Sequence, residues 1–192
     1  RVQVRTLGRT VLGRPFLVAF IADSATLANL EHYRTIQRKL MDPRLRTPSD
    51  VREALIEQGR NVILVTAAIH STEVGGWTTA MVLADRLARA ETAEARMVLA
   101  NTIIMLVPAQ NPDGVDIVGD WYRATLDTPA EGSSPPELYH FYTGHDNNRD
   151  WYAFTQPETR YTVDSLYTPW NPQIVNDVHQ QGGNTSRIFV PP

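Results

Sequence analysis

Apolar residues cluster in two runs that are nearly free of polar interruption. Asn61 to Ile69 reads NVILVTAAI and Thr102 to Val107 reads TIIMLV. Runs of this length without alternation fit strands covered on both faces. Leu7-Gly8-Arg9-Thr10 and Leu12-Gly13-Arg14-Pro15 read as turns around a short strand, and Phe16 to Ile21 is a third apolar run of strand formers. Gln173 to Val178 and Arg187 to Val190 complete the candidate strands.

Between them the spacing turns helical. Asp23 or Ser24 can cap a helix from about Ala25 to Leu40, and Pro43 and Pro48 break the chain after it. Ser49 opens a short helix that Gly59 ends. Val74 to Ala90 predicts a helix with Val74, Trp77, Met81, Leu83, Leu87 and Ala88 available for one buried side. Thr92 to Leu99 and Glu158 to Leu166 predict two more. Strands alternating with helices imply an α/β sheet with helices on both faces, whose ligands gather at the carboxyl ends of strands.

Ala109 to Gln156 breaks the pattern. It is rich in Gly, Pro, Asn and Asp, and its periodicity predicts a long loop. Trp121, Tyr122, Tyr139, Tyr142, Trp151 and Tyr152, with Tyr161 just beyond, argue against disorder. The aromatic segment packs under the connection or lines a pocket.

Composition narrows the chemistry. The 192 residues contain no cysteine, so thiolate metal sites and disulfides are excluded and His and carboxylates remain as the strong ligands. A net charge of −3 gives no reason to expect nucleic acid or an acidic membrane as partner. No run reaches the ~20 apolar residues of a membrane span. Neither end reads as a natural terminus, which leads us to expect a fragment.

His70-Ser71-Thr72-Glu73 follows the best strand, and Asp177-Val178-His179 ends another. If those strands are neighbours, His70, Glu73 and His179 converge as three ligands of a zinc ion, leaving a fourth position for water. Each residue alone has a plainer reading: a hydrogen-bonded histidine at a strand end, a carboxylate in a helix first turn, a core histidine. They are joined by Asn111-Pro112-Asp113-Gly114 and by Asp146-Asn147-Asn148-Arg149-Asp150-Trp151.

With these motifs in this order the chain resembles the zinc carboxypeptidase family of the carboxypeptidase A type, in its bacterial branch. The segments HSTEVGG, NPDGVD, YTGHDNNRDW and DVHQQG carry the likeness, from about Gly8 to the last residue. The resemblance implies a mixed, largely parallel central sheet with helices on both faces. Residues 1–192 would form a single but incomplete catalytic domain. It implies one zinc ion on His70, Glu73 and His179. Asn148 and Arg149 would hold the substrate's terminal carboxylate, which suits the planar guanidinium. Asp146 would orient the first zinc histidine, and Asn111 to Gly114 would be a structural turn.

Two positions depart from the family. Leu126 stands where an oxyanion-stabilising Arg is expected, leaving Arg123, three residues earlier, as the candidate. The general-base Glu lies well downstream of the last zinc histidine in the family. No Glu follows His179 here, so the base is expected outside this chain. Of the other histidines, His32 and His140 read as surface and packing residues, and His145 could touch the site. Glu131 and Glu137 read as solvated surface charges.

The expected activity is therefore zinc-dependent hydrolysis of the C-terminal peptide bond of peptides or proteins. The alternatives are an N-acyl amino acid deacylase of the aspartoacylase type and a non-catalytic module that binds zinc and carboxylates. The resemblance favours a secreted or periplasmic location.

Overall fold

The two apolar runs lie side by side at the centre of a five-stranded sheet. The structure is a computed structural model, described here for residues 1–136 and 146–181. The strands are β1 (Val2–Arg9), β2 (Pro15–Ile21), β3 (Asn61–Ala67), β4 (Thr102–Val107) and β5 (Ile174–Val178), in spatial order β1-β2-β4-β3-β5. Neighbours β4, β3 and β5 pair in parallel, while β2 is antiparallel to both β1 and β4. Only β2 therefore runs against the other four, and the sheet is mixed and largely parallel as expected.

Every residue of β4 is buried, because both of its faces are covered. Val62, Leu64, Ile103, Met105 and Val107 point to one face, where Phe16, Phe20, Leu30, Leu166 and Trp170 close the core. Val65, Ala67, Ile104 and Leu106 point to the other and meet Ala80, Ala90 and Leu99. The first layer is built by α1 (Ser24–Ala28), α2 (Leu30–Met41), α7 (Pro157–Thr162) and α8 (Thr168–Trp170), and the second by α4 (Val74–Arg89) and α5 (Ala93–Asn101). Helix α3 (Ser49–Gln58) packs outside α2 and buries no residue of its own. Parallel neighbours need crossovers. The one from β3 to β4 runs over the second layer, and the one from β4 to β5 returns over the first. The carboxyl ends of β3, β4 and β5 thus share one edge of the sheet.

Several elements differ from the sequence expectation. The helix expected from Ala25 to Leu40 divides at Asn29, whose side-chain amide donates to the Ala25 carbonyl and whose backbone leaves the helical region. Asp23 caps its first part by accepting from the Thr26 N–H at 2.6 Å. In α4 the buried side is Gly76, Ala80, Ala84 and Leu87, while Val74, Met81 and Leu83 are exposed. Small residues let this helix lie close to the sheet: a Cβ on Gly76 would sit 3.5 Å from Val178 Cγ1. The run after Pro157 continues to Trp170, widening to a π turn over Val163–Tyr167 ahead of Pro169, which has no N–H to give. The expected strand Arg187 to Val190 lies outside the described residues.

Two elements were not expected at all. Strand β1 is an edge strand with an exposed, polar-rich surface, and its alternation is short: Val2-Gln3-Val4-Arg5, after which Leu7-Gly8-Arg9-Thr10 reads as a turn. Leu7 is the bulge in its pairing, and Gly8 beside it lies beneath the Tyr161 ring, where a Cβ would meet Tyr161 Cζ at 2.1 Å. Helix α6 (Pro112–Thr125) occupies the first part of the supposed long loop. Asn-Pro-Asp-Gly is its start rather than an isolated turn: Asn111 Oδ1 accepts from the Gly114 N–H at 2.9 Å, and Pro112 needs no partner in the first turn. Asp113, 1% exposed, accepts from Thr10 Oγ1 at 2.5 Å and from the Leu12 N–H at 3.0 Å, and so ties the β1–β2 turn to α6.

A group of buried carboxylates lies between α6 and α7. Asp150 is fully buried, which by itself would raise its pKa. The Thr155 hydroxyl, the Gln156 N–H, the Thr159 side chain and the Thr155 N–H outweigh burial and hold it at about 2. Glu158 is 4% exposed, and its Oε2 has no hydrogen-bond partner among the described residues. Burial pushes its carboxyl up to about 7; its own and the Val11 N–H oppose this, and the charges of Asp113 and Asp150 add to it. The folded protein therefore holds a proton there that the unfolded chain releases. That stability is complete below the unfolded carboxyl pKa and is lost as pH rises through about 7. Between about pH 5.5 and about pH 8 the native protein should lose on the order of 2 kcal/mol more than Glu158→Gln. Urea unfolding of both proteins at both pH values measures this, and equal losses would refute it.

Candidate metal centre

Strand β3 leaves the sheet by a short, strained turn. Ala68, 1% exposed, adopts the left-handed region at φ 57°, unusual for a residue with a Cβ. The turn is held from the start of α6: the Gln110 N–H donates to the Ala67 carbonyl at 2.7 Å and the Asn111 N–H to that of Ala68 at 3.2 Å. Ser71 Oγ donates back to the Asn111 carbonyl at 3.2 Å. This is how the Asn-Pro-Asp-Gly segment sets the loop carrying His70 and Glu73. Glu73 occupies the N-cap position of α4.

His179 follows β5, which pairs with β3 in parallel, Thr66 opposite Asp177 and Ala67 opposite Val178. The two strands end together, so His179 emerges beside the loop. His70 Nδ1 lies 2.9 Å from Glu73 Oε1. His179 Nδ1 lies 3.4 Å from Glu73 Oε1 and 3.1 Å from Oε2. The two imidazole rings are 4.9 Å apart, and one donor atom from each of the three residues lies within 4.8 Å of the others.

The other face of each ring meets a second carboxylate. His70 Nε2 lies 2.8 Å from Asp146 Oδ2. His179 Nε2 lies 3.2 Å from Asp177 Oδ2, and Asp177 Oδ1 accepts from Thr66 Oγ1 at 2.6 Å. Sequence reasoning did not pair Asp177 with His179. The signal was the two-residue spacing, which puts both on one side of an extended segment.

A carboxylate only accepts hydrogen bonds, and a neutral imidazole donates from one nitrogen. With Nε2–H given to Asp146 or Asp177, each Nδ1 turns a lone pair toward Glu73. Lone pairs gathered on one point are stabilised by a cation between them. Tetrahedral zinc with ligands at ~2.0–2.1 Å would space its ligand atoms at about 3.3–3.4 Å, a few tenths of an ångström from the separations between Glu73 and the two histidines. The donor set fits zinc, with carboxylates behind both imidazoles to fix their tautomers.

Asn148 and Arg149 form a short 3-10 turn at the same edge, capped by Asp146 Oδ1, which accepts from the Asn148 N–H at 2.7 Å. Asn148 Nδ2 lies 3.5 Å from His179 Nε2. The Arg149 guanidinium is exposed and bonds only the Asn148 carbonyl at 3.2 Å among the described contacts. Arg123 is not brought to the site. It lies in the last turn of α6, exposed and paired with Asp120 at 2.7 Å, and none of its described contacts involves the metal cluster. Leu126 ends the same helix and is exposed. Glu131 is exposed and accepts from the Asp127 N–H, and His32 is exposed on α2. Glu137, His140, His145 and the aromatic segment around Tyr139 and Tyr142 lie outside the described residues.

The sequence model of the zinc carboxypeptidase family matches residues 1–183. The chain belongs to the zinc carboxypeptidase family. No curated protein matches it. Among solved structures it is similar to a metallo-carboxypeptidase from Burkholderia cenocepacia, with 19% identity and a TM-score of 0.56 over 94% of this chain and 36% of that one. It is also similar to carboxypeptidase A from Helicoverpa armigera, with 14% identity and a TM-score of 0.56 over 94% of this chain and 41% of that one. At these identities the likeness establishes a shared fold. The zinc carboxypeptidase chain thus spans roughly two fifths of the length of these relatives.

Zinc at about 100 times its Kd should raise the unfolding free energy by about 2.7 kcal/mol. His179→Ala should abolish that gain. Thermal unfolding with and without zinc checks both, and an equal gain in the variant would place the metal elsewhere.

Proposed function

We propose that the protein is a zinc-dependent carboxypeptidase that hydrolyses the C-terminal peptide bond of peptides or proteins. The observation that carries this is the convergence of His70, Glu73 and His179, one ligand atom of each within 4.8 Å of the others and both Nδ1 atoms facing the Glu73 carboxylate, beside Asn148 and Arg149. His70, Glu73 and His179 would hold one zinc ion per chain. Zinc in such a site supplies Lewis-acid polarisation of the scissile carbonyl and a water acidic enough to attack at neutral pH.

The chain's own residues do the rest of what this half-site requires. Asp146 and Asp177 accept from the imidazole Nε2–H groups and keep both Nδ1 lone pairs on the metal side. Arg149 offers a planar fork of donors, free of any carboxylate partner among the described residues, to the substrate's terminal carboxylate. Asn148 adds an amide donor and sets the peptide next to His179. The proton shuttle is proposed to come from outside residues 1–192, since Glu73 is committed as a ligand. No helix among the described residues is long and apolar enough to cross a membrane.

The test compares a blocked peptide bearing a free C-terminal carboxylate with its amide, using the full-length protein with and without zinc. Cleavage should require both zinc and the free carboxylate. Arg149→Ala should leave zinc bound and weaken free-acid ligands by about 2–5 kcal/mol, while amides are unaffected. Isothermal titration with both peptides measures this. Equal affinity of the wild-type protein for acid and amide would remove the carboxylate clamp from the proposal.

A further inference from the structure

Glu73 stands where a helix cap should be, yet it does not cap. As the N-cap residue of α4 it makes no side-chain hydrogen bond to the helix, and its carboxylate turns toward His70 and His179. The first N–H groups of a helix have no partner within it and need an acceptor. A Ser, Thr, Asp or Asn at the N-cap ordinarily supplies one. Here a residue that serves the cluster cannot also serve the helix.

The missing acceptor comes from the far side of the site. Gln180 Oε1 accepts from the Gly75 N–H at 2.9 Å, across 105 positions of sequence. The Gln180 backbone N–H donates to Glu73 Oε2 at 2.9 Å. One residue therefore caps the helix in Glu73's place and grips one oxygen of the Glu73 carboxylate. Glu73 Oε1 faces His70 Nδ1 at 2.9 Å, and His179 Nδ1 lies against both oxygens, 3.1 Å from the held Oε2 and 3.4 Å from Oε1.

Gly75 makes room for this contact. A Cβ there would lie 2.8 Å from Gln180 Oε1, closer than real Cβ contacts occur. The backbone of Gly75 needs no special φ, so its lack of a side chain is used for space alone.

We propose that Gln180 is a positioning residue for the metal ligand Glu73. It locks the start of α4 to the end of β5, so that Glu73 and His179 keep one spacing whether or not substrate is present. Residues standing behind metal ligands commonly change metal affinity 10–100-fold when removed, and Gln180 is assigned to that group. This inference rests on zinc binding at His70, Glu73 and His179, and the experiment separates the two.

Zinc affinity is measured on the full-length protein by competition with a chromophoric chelator. The absorption of the cobalt(II) form reports the geometry of the ligands. Gln180→Met keeps the length but removes the acceptor, and should weaken zinc about tenfold and shift the cobalt spectrum. Gln180→Glu keeps an acceptor for the Gly75 N–H and should restore both. Gly75→Ala leaves Gln180 in place but evicts its side chain; Ala also favours helix over Gly. It should weaken zinc as Gln180→Met does, with no loss of metal-free stability.

A Gln180→Met protein with unchanged zinc affinity and cobalt spectrum would overturn the assignment, even if its metal-free stability fell, because that pattern belongs to a helix cap alone. Failure of Gln180→Glu to restore affinity would overturn it as well. A wild-type protein that binds no zinc would overturn the proposed function itself, and this inference with it.

Discussion

The parallel register between β3 and β5 is the constraint on which the site depends. Thr66 lies opposite Asp177 and Ala67 opposite Val178, so both strands reach the same edge together. Side chains on a strand alternate between faces, and a slip of one residue would turn Asp177 and His179 away from Glu73. The Thr66 hydroxyl bonded to Asp177 marks that register with a polar contact as well as a ladder. What reaches Glu73 from the end of β5 follows from it: His179, with its carboxylate partner Asp177 behind it, and the Gln180 N–H one residue on.

The loop after β3 is fixed from the other neighbour. Its strained Ala68 is held because the Gln110 and Asn111 N–H groups, in the connection after β4, donate to the Ala67 and Ala68 carbonyls. The same short segment starts α6 and, through Asp113, secures the β1–β2 turn. Strain at the metal loop is thus offset by ordinary helix capping and hydrogen bonding a few residues away. The centre is built by two strands from one sheet and supported by a third, which explains how a loop between them can hold two ligands in place.

Burial of charge follows a different logic beside α7. Asp150 keeps its charge because four groups donate to it, whereas Glu158, with an unpartnered oxygen near two other carboxylates, keeps its proton. The metal cluster resembles neither. Its carboxylates face imidazole nitrogens on both sides of each ring, an arrangement that leaves both Nδ1 lone pairs turned toward Glu73.

Sequence alone determined the strands β2, β3, β4 and β5, the α/β class and the identity of the residues in the cluster. Each depends on local information: apolar runs, residue spacing within a turn, and ligand chemistry. The resemblance to zinc carboxypeptidases rested on four short motifs, and the family match bears it out. Less was legible where burial was slight or helix breakers were many. Strand β1 was missed because its alternation, Val2 to Arg5, is short and most of its residues are exposed, and α6 was missed because it begins with Pro and contains two Gly, although its buried Gly114, Val118 and Thr125 keep a helical spacing. The buried side of α4 was only partly legible: Leu87 faces the sheet as expected, but with Gly76, Ala80 and Ala84 rather than Val74, Met81 and Leu83. What only the tertiary structure decided are the contacts between distant segments: Asp177 behind His179, Gln180 over the start of α4, and Arg123 turned to Asp120 away from the site. Such contacts depend on strand order and on the face each helix buries. Those are set by packing of the whole sheet, which no local stretch of sequence contains.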